Sequence, residues 1–445
     1  MSGKVGDNVF RASGLVKAVA AGRTGTVDWC TTAKTSPFTS ETATGYFVNT
    51  TSGAITVTLP SSPSAGDIVA LKDYAETWDS NAVTLGRGGS KINGSCNDAT
   101  LDTEAQSVTM IYVDGTKGWQ DIHDSTANVT GLSYICASGG TEITCGDFTT
   151  HVFTGDGTFC VASLSGCAAF NTVDYLVVGG GGSGGSSHGA GGGAGGFRYF
   201  SSLSPAGSPF SAPAGITVTA SPYSISVGDG STAPAPAPGG ANGSVSTFSS
   251  ICSAGGGGGG SYTGPGDNAG DGGSGGGGGN PGSHSPSPGP GGSGDTPPVT
   301  PPQGFDGGNG IARACASAAN HRQGGGGGGA GAAGENTTDS TTGGDGGAGS
   351  YIPDGFFGPT APSYGSPGPV SSTRYFAGGG GGGVYGPSTP GGSGGAGGGG
   401  AGGDGYAVNG TANTGGGGGG SKKCGSPCLA GSGGKGIVLI RYRYQ

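Results

Sequence analysis

Seven aromatic side chains, Tyr262, Phe305, Tyr351, Phe356, Tyr364, Tyr375 and Tyr385, stand in glycine-poor stretches between glycine tracts. The same stretches carry Asn, Asp, Arg and His. Tyr and Phe offer large contact area at small entropic cost, and Asn and Ser offer adaptable hydrogen bonds; together this is recognition chemistry of the paratope kind. The seven are therefore candidate binding anchors, with Asn and Asp bonding sugar hydroxyls or protein backbone. For each, the competing role is to cap the end of a glycine segment.

Catalytic chemistry is harder to assemble. Asp267 with Asp271, or Asp295 with Asp306, could supply the two carboxylates of glycoside hydrolysis. Nothing fixes their separation, and they read as solvated loop acids. No Ser-His-Asp arrangement stands out. Gly-x-Gly-x-x-Gly recurs by chance in a glycine-rich background, and Gly434-Lys435-Gly436 is not a phosphate-binding loop. Gly399 to Ala407 fits one copy of a calcium-binding nonapeptide, a site that needs tandem copies. The ten cysteines contain no Cys-x-x-Cys pair; Cys424 and Cys428 are the nearest spacing. They are expected to be buried thiols rather than zinc ligands. No enzyme, cofactor or metal is expected.

The elements that must position these residues are unusual. Of 112 glycines, 21 precede Asp174 and 91 fall in the last 272 residues, with four unbroken runs of six at 255–260, 324–329, 378–383 and 415–420. Glycine loses more backbone freedom on folding than any other residue, so such a chain either stays disordered or uses the missing side chain. The left-handed threefold helix rises about 3.1 Å per residue without internal hydrogen bonds, so six residues make a rod of about 19 Å. Its N–H and C=O groups point outward and must find partners. Without Cβ atoms, neighbouring rods can bond to one another, helped by Cα–H···O contacts. Each run is expected to be one rod, and each glycine-poor stretch a loop at a rod end. The flexible-linker alternative is disfavoured by the recurring run length and by the apolar strands that bracket the tract: Val173 to Val178 before it and Ile437 to Tyr442 after it.

Upstream, residues 35–126 read as a small β-sandwich. Ala54 to Pro60 alternates with period two, Ile68 to Leu71, Ala82 to Leu85 and Ser107 to Val113 follow, and Asp114-Gly115 turns into Gly118 to Ile122 as a hairpin. Residues 1–34 read as an attachment arm and 127–148 as a connector; 149–445 form the glycine-rich unit. The fold class is thus mostly β, a sandwich module followed by packed polyglycine II rods bracketed by strands. The net charge of −9 comes without a basic patch, against nucleic-acid binding. No apolar run is long enough to insert in a membrane.

Several segments resemble a known family. His151 to Phe159 with Val173 to Gly182, Gly195 to Arg198, Tyr223 to Gly228, Ser246 to Ile251 and Gly436 to Tyr442 resemble the glycine-rich domain of bacteriophage tail-fibre and adhesin proteins. Gly3 to Gly14 is similar to N-termini of marine phage structural proteins; Gly45 to Asn49, Ala54 to Pro60 and Lys117 to Trp119 are similar to a module of their tail proteins. The resemblance implies a virion protein, assembled in the host cytoplasm, whose polyglycine II rods display receptor-binding loops to a host-surface glycan or outer-membrane protein. It implies contacts with other virion tail proteins through the arm, and a homo-oligomer, with a trimer favoured. This chain lacks a long repetitive shaft. The rival readings are a structural virion component, such as a head decoration or tail appendage, and a polysaccharide-degrading tail spike.

Overall fold

A computed structural model describes residues 27–124, 134–203, 210–233, 239–262, 268–280, 288–311, 322–337, 342–357, 364–370, 373–385, 390–403, 405–421 and 429–444. The chain divides into two compact units. The first comprises residues up to 134 together with 164–169; the second comprises 135–163 and 170–445.

The first unit holds β1 (Asp28–Lys34), β2 (Phe38–Thr39), β3 (Thr44–Val48), β4 (Ile55–Thr58), β5 (Ile68–Asp73), β6 (Val83–Gly86), β7 (Ala99–Leu101), β8 (Ser107–Asp114) and β9 (Gly118–Asp124). One sheet has the order β1-β3-β5-β8-β9 and the other β2-β4-β6-β7. The pairs β1/β3, β3/β5, β2/β4 and β4/β6 are parallel. The chain therefore alternates between the two sheets from β1 to β6 like a short coil. Antiparallel pairs β6/β7, β5/β8 and β8/β9 finish it. Alternate residues face one shared core that includes Val48, Val57, Leu71, Leu85, Met110 and Trp119. The expected hairpin at Asp114-Gly115 is present. The Asp114 carboxylate accepts the Thr116 and Lys117 N–H groups, which hold its pKa below the usual carboxylate range.

Two boundaries differ from the sequence reading. The described part of the arm is β1, which pairs with β3 as an edge strand of the module. The Trp29 ring lies over Gly45, where a Cβ would stand 2.7 Å from it, and packs against Phe47. Likewise the connector holds β10 (Cys136–Ser138) and β11 (Thr141–Cys145), which belong to sheets of the second unit. β1 and β10 pair with strands that are not their neighbours in the chain, β3 and β13, so local pattern does not reveal them; β11 forms a local hairpin with β12.

The second unit continues with β12 (Phe148–Phe153), β13 (Gly157–Ser163), β14 (Thr172–Val178), β15 (Phe197–Phe200), β16 (Ile216–Thr217), β17 (Pro222–Ser226), β18 (Ser246–Phe248) and β19 (Ile251–Ser253). It ends with β20 (Arg322–Gln323), β21 (Ser350–Pro353), β22 (Thr373–Phe376), β23 (Val384–Tyr385) and β24 (Ile437–Arg443). One sheet runs β11-β12-β24-β14-β15, with β16 also on β14; another runs β10-β13-β17-β18-β19. β12 and β13 flank the Gly155 to Gly157 turn, yet they enter different sheets. The apolar strands β14 and β24, which bracket the glycine tract, pair with each other, with Val178 opposite Ile437 and Asp174 opposite Arg441. Both are buried on both faces, which explains their continuous apolar runs. Arg441 and Asp174 form a buried ion pair at 2.8 Å, 3% and 5% exposed. Asp174 also accepts from the Ser202 N–H and hydroxyl. Burial raises the carboxyl pKa and lowers that of the guanidinium, and the two charges oppose these shifts.

The described cysteines are not buried. Cys136 and Cys252 are exposed and Cys30, Cys96, Cys145, Cys160 and Cys167 half-buried, all as free thiols. Cys136 and Cys252 sit at outward-facing strand positions, so neither fills a core.

Candidate functional site

The glycine tract folds into straight segments whose residues bond neighbours with period three. In the segment 179–185, Gly179, Gly182 and Gly185 donate to Gly196, Gly193 and Ala190 of one neighbour. Gly180 and Ser183 donate to Ser244 and Ala241 of a second, and Gly181 and Gly184 to Gly434 and Gly431 of a third. Three further segments donate to its carbonyls, from Gly256 and Gly259, from Ser231, and from Gly418 and Ser421. Six neighbours around a threefold rod make a hexagonal array, the polyglycine II pattern expected from the sequence. The segment 189–196 is surrounded in the same way by the segments around residues 182, 257, 277, 325, 380 and 418. The four six-glycine runs are all among these rods.

The missing side chain has a direct use. In the rods, the direction a Cβ would take is occupied by a neighbouring carbonyl oxygen. For Gly192 that oxygen is Gly182 O at 2.2 Å, for Gly327 Gly192 O at 2.0 Å, and for Gly380 Gly418 O at 2.1 Å. A hydrogen fits there as a Cα–H···O contact; a methyl group does not.

Successive rods alternate in direction, so the array has two unlike ends. At one end stand β14, β15, β18, β19, β21, β22 and β24 with an aromatic core. That core holds Phe197, Tyr199, Ile352, Phe356, Phe357, Phe376 and Leu439. At the other end the rods meet through Gly189 N–H to Ser421 O, Gly383 N–H to Gly189 O, Ala190 N–H to Gly260 O and Ile311 N–H to Gln323 O. Here the described chain stops at Tyr262, Asn280, Ile311, Tyr385 and Ser421 and re-enters at 268, 288, 322, 390 and 429.

The seven candidate anchors divide between the ends. Phe305, Tyr351, Phe356, Tyr364 and Tyr375 lie at the sheet end. Phe356 is 1% exposed and its carbonyl accepts the Thr150 hydroxyl; Tyr375 is 5% exposed. These two are core residues, a correction to their reading as surface anchors: rods that end in bare backbone need large side chains beneath them. Tyr364 stacks on Phe357, Tyr351 packs on Tyr375, and Phe305 meets Phe210 edge to face. These three are half-buried and act as caps. Tyr262 and Tyr385 lie at the far end. Tyr385 pairs with Arg322 across β20/β23, and the Tyr262 ring meets His188 edge to face at 5.1 Å.

Sequence reasoning missed a polar plug at that far end. His188, Ser186, Ser261, Asn280, Gln323 and Ser421 are all buried there. Among the described residues, the hydroxyls of Ser186, Ser261 and Ser421 have no hydrogen-bond partner.

It also missed how the flanks are finished. An outer rod has N–H groups with no further rod to receive them, and side chains replace it. Asn242 Oδ1 accepts Gly258 N–H at 2.8 Å, Asp271 Oδ1 accepts Ser293 at 2.6 Å, and Asp345 Oδ1 accepts Ser393 at 2.6 Å. Asn409 Oδ1 accepts Ser432 at 2.9 Å. Asp306 Oδ1 accepts Gly294 at 2.8 Å, Asn309 Oδ1 accepts Gly291 at 2.9 Å and Asn336 Oδ1 accepts Asn309 at 2.6 Å. Such caps blunt an edge that would otherwise template another chain, as sheet edges are blunted. The signal was in the sequence: six of these seven residues precede a glycine inside a glycine tract. Asp271, Asp295 and Asp306, weighed above as loop acids, all accept backbone N–H groups. Asp267 lies outside the described residues.

A family model of the glycine-rich domain matches residues 153–443. The chain belongs to the glycine-rich domain family. No curated protein matches it. The match covers most of the second unit, from β12 to β24. Among the described residues no group of three His, Cys, Asp or Glu side chains could hold a metal ion, and no helix is long and apolar enough to cross a membrane.

Proposed function

We propose that this glycine-rich domain protein is a phage virion adhesin that binds a host-surface receptor through the end of the rod array remote from the sheets. The supporting observation is the contrast between the ends. Interior rods spend their backbone groups on each other, the flanks are capped, and the sheet end is filled by an aromatic core. At the far end stand Tyr262 and the buried polar groups of Ser186, His188, Ser261 and Ser421, apart from the aromatic core, and a rigid base carrying varied side chains is the usual layout of a recognition surface. Tyr262 stays at this end as an anchor, and Tyr385 is placed at the same end by β23; Phe356 and Tyr375 leave the set. The chain acts by binding and carries out no covalent chemistry.

The test is competition. Purified full-length chain in excess is added to host cells before the virus that carries it. Slowed adsorption is the expected result. Adsorption at the unblocked rate, with the added chain folded and in large excess, overturns the reading and favours a structural virion component.

A further inference from the structure

The flank of the array holds a polar groove of about 320 Å³. Its floor is the rod 305–310 and its walls are the rods 289–294 and 333–337. Gly307 donates to Gly292 O and Gly334 to Asp306 O, both at 3.0 Å, so each wall rod is a direct neighbour of the floor rod. In the hexagonal array this is the place of one absent rod. A peptide rod seated there would compete for the outward N–H groups of Gly291, Gly294 and Asn309. Those three are occupied, by Asn309 Oδ1, Asp306 Oδ1 and Asn336 Oδ1.

Each capping side chain is thus held by one oxygen and keeps its other atom for a ligand. The groove offers the Asn309 and Asn336 amide NH2 groups, the second Asp306 oxygen and the Ser293 hydroxyl, over a floor of Cα–H surface. No cation lines it, which disfavours an anion. One carboxylate among neutral groups does not make a metal site. Paired amide donors beside a carboxylate acceptor match adjacent ring hydroxyls, each of which donates and accepts. Side chains already fixed by a backbone bond lose little freedom on binding. From this arrangement we propose that the groove is a binding site for a neutral carbohydrate, separate from the far end of the array.

The test uses the full chain titrated calorimetrically with four probes: linear tetramers of glucose, galactose, mannose and N-acetylglucosamine. Saturable binding of at least one tetramer is expected. Asn309→Asp, Asn336→Asp and Asp306→Asn each keep the oxygen that caps the backbone and invert the atom left over. Each should weaken binding about tenfold or more while the thermal midpoint stays in place. Asn409→Asp, the same change at a cap outside the groove, should leave binding unaltered. The inference is overturned if none of the four tetramers saturates the chain, or if binding survives the three groove substitutions. Because the readout involves no host cell, it stands apart from the competition experiment: a chain that fails to slow adsorption yet binds a tetramer through these residues supports the groove alone.

Discussion

The two units solve the burial problem in opposite ways. The β module packs large side chains from two sheets into one apolar core, with Trp78, Trp119, Leu59 and Leu71 fully buried. The rod array removes side chains and buries backbone against backbone, so that hydrogen bonds and Cα–H···O contacts replace oil. In the module, close approach at glycine is confined to single positions such as Gly45, Gly88 and Gly118, while at a turn such as Gly115 a Cβ meets nothing within 4 Å. In the array, the same atom meets a carbonyl at about 2 Å at position after position. Close packing is common to both; only the packed group differs.

Reciprocal substitutions break that contrast most strongly. Gly380→Val drives a branched side chain into Gly418 O and should abolish the unfolding transition of the glycine-rich unit, while Gly115→Ala in the module should change stability by less than about 0.5 kcal/mol. Leu71→Ala should have the converse effect, costing the module about 2–5 kcal/mol through a cavity and leaving the array's transition in place. Calorimetry resolving two transitions reads all three; a Gly380→Val protein with an unmoved second transition would refute backbone-on-backbone packing.

The next largest effect is at the clamp beneath the rods. Arg441→Met leaves the Asp174 carboxylate buried beside an apolar chain and should cost about 3–5 kcal/mol. Asp174→Asn/Arg441→Met together should recover part of the loss, measurable as a double-mutant cycle.

Acid should act on the glycine-rich unit through His151. Its ring is fully buried, with Nδ1 on Gly139 O at 2.6 Å and Nε2 at 3.0 Å from the Tyr442 hydroxyl. Burial lowers its pKa from the ordinary value, against smaller opposing effects of the Gly139 bond and Glu142. The neutral ring donates through Nδ1 and accepts the Tyr442 proton at Nε2. Burial pushes the Tyr442 pKa up to about 12. A base that binds its proton more weakly folded than unfolded contributes fully above the unfolded pKa of about 6.5 and loses that contribution as pH falls below it, by up to about 1.4 kcal/mol per pH unit. His151→Gln should flatten the acid limb of a stability–pH profile; an unchanged limb would assign it to other groups.

The smallest effect sharpens the account of the flanks. Asn409→Ala uncaps Ser432 N–H at an exposed edge, where water can replace the lost bond, and should cost about 0.5–1 kcal/mol. Hydrogen exchange should rise at Ser432 and stay unchanged at Gly418, deep in the array.

Much of this was legible in the sequence, and the illegible parts share a cause. β5, β8, β9, β14 and β24 were readable because alternating or continuous apolar runs report local burial. The parallel order β1-β3-β5 and the pairing of β10 with β13 were not, because they depend on strands that are not neighbours in the chain. Phe356 and Tyr364 both looked like surface anchors among glycines. In space one is core and the other a half-buried cap, since a tract without side chains must rest on residues that have them. Asn242, Asp271, Asp306, Asn309, Asp345 and Asn409 each precede a glycine and cap outer rods, a role that depends on which rods lie outermost.

Sequence alone determined that the second unit would be rods: six glycines in a row offer only backbone to bury, and backbone must be hydrogen-bonded. Which rod neighbours which, which end faces the sheets, and where a missing rod leaves a groove were decided by tertiary structure. Identical glycine runs carry no address, and their order is imposed by the strands and caps that flank them.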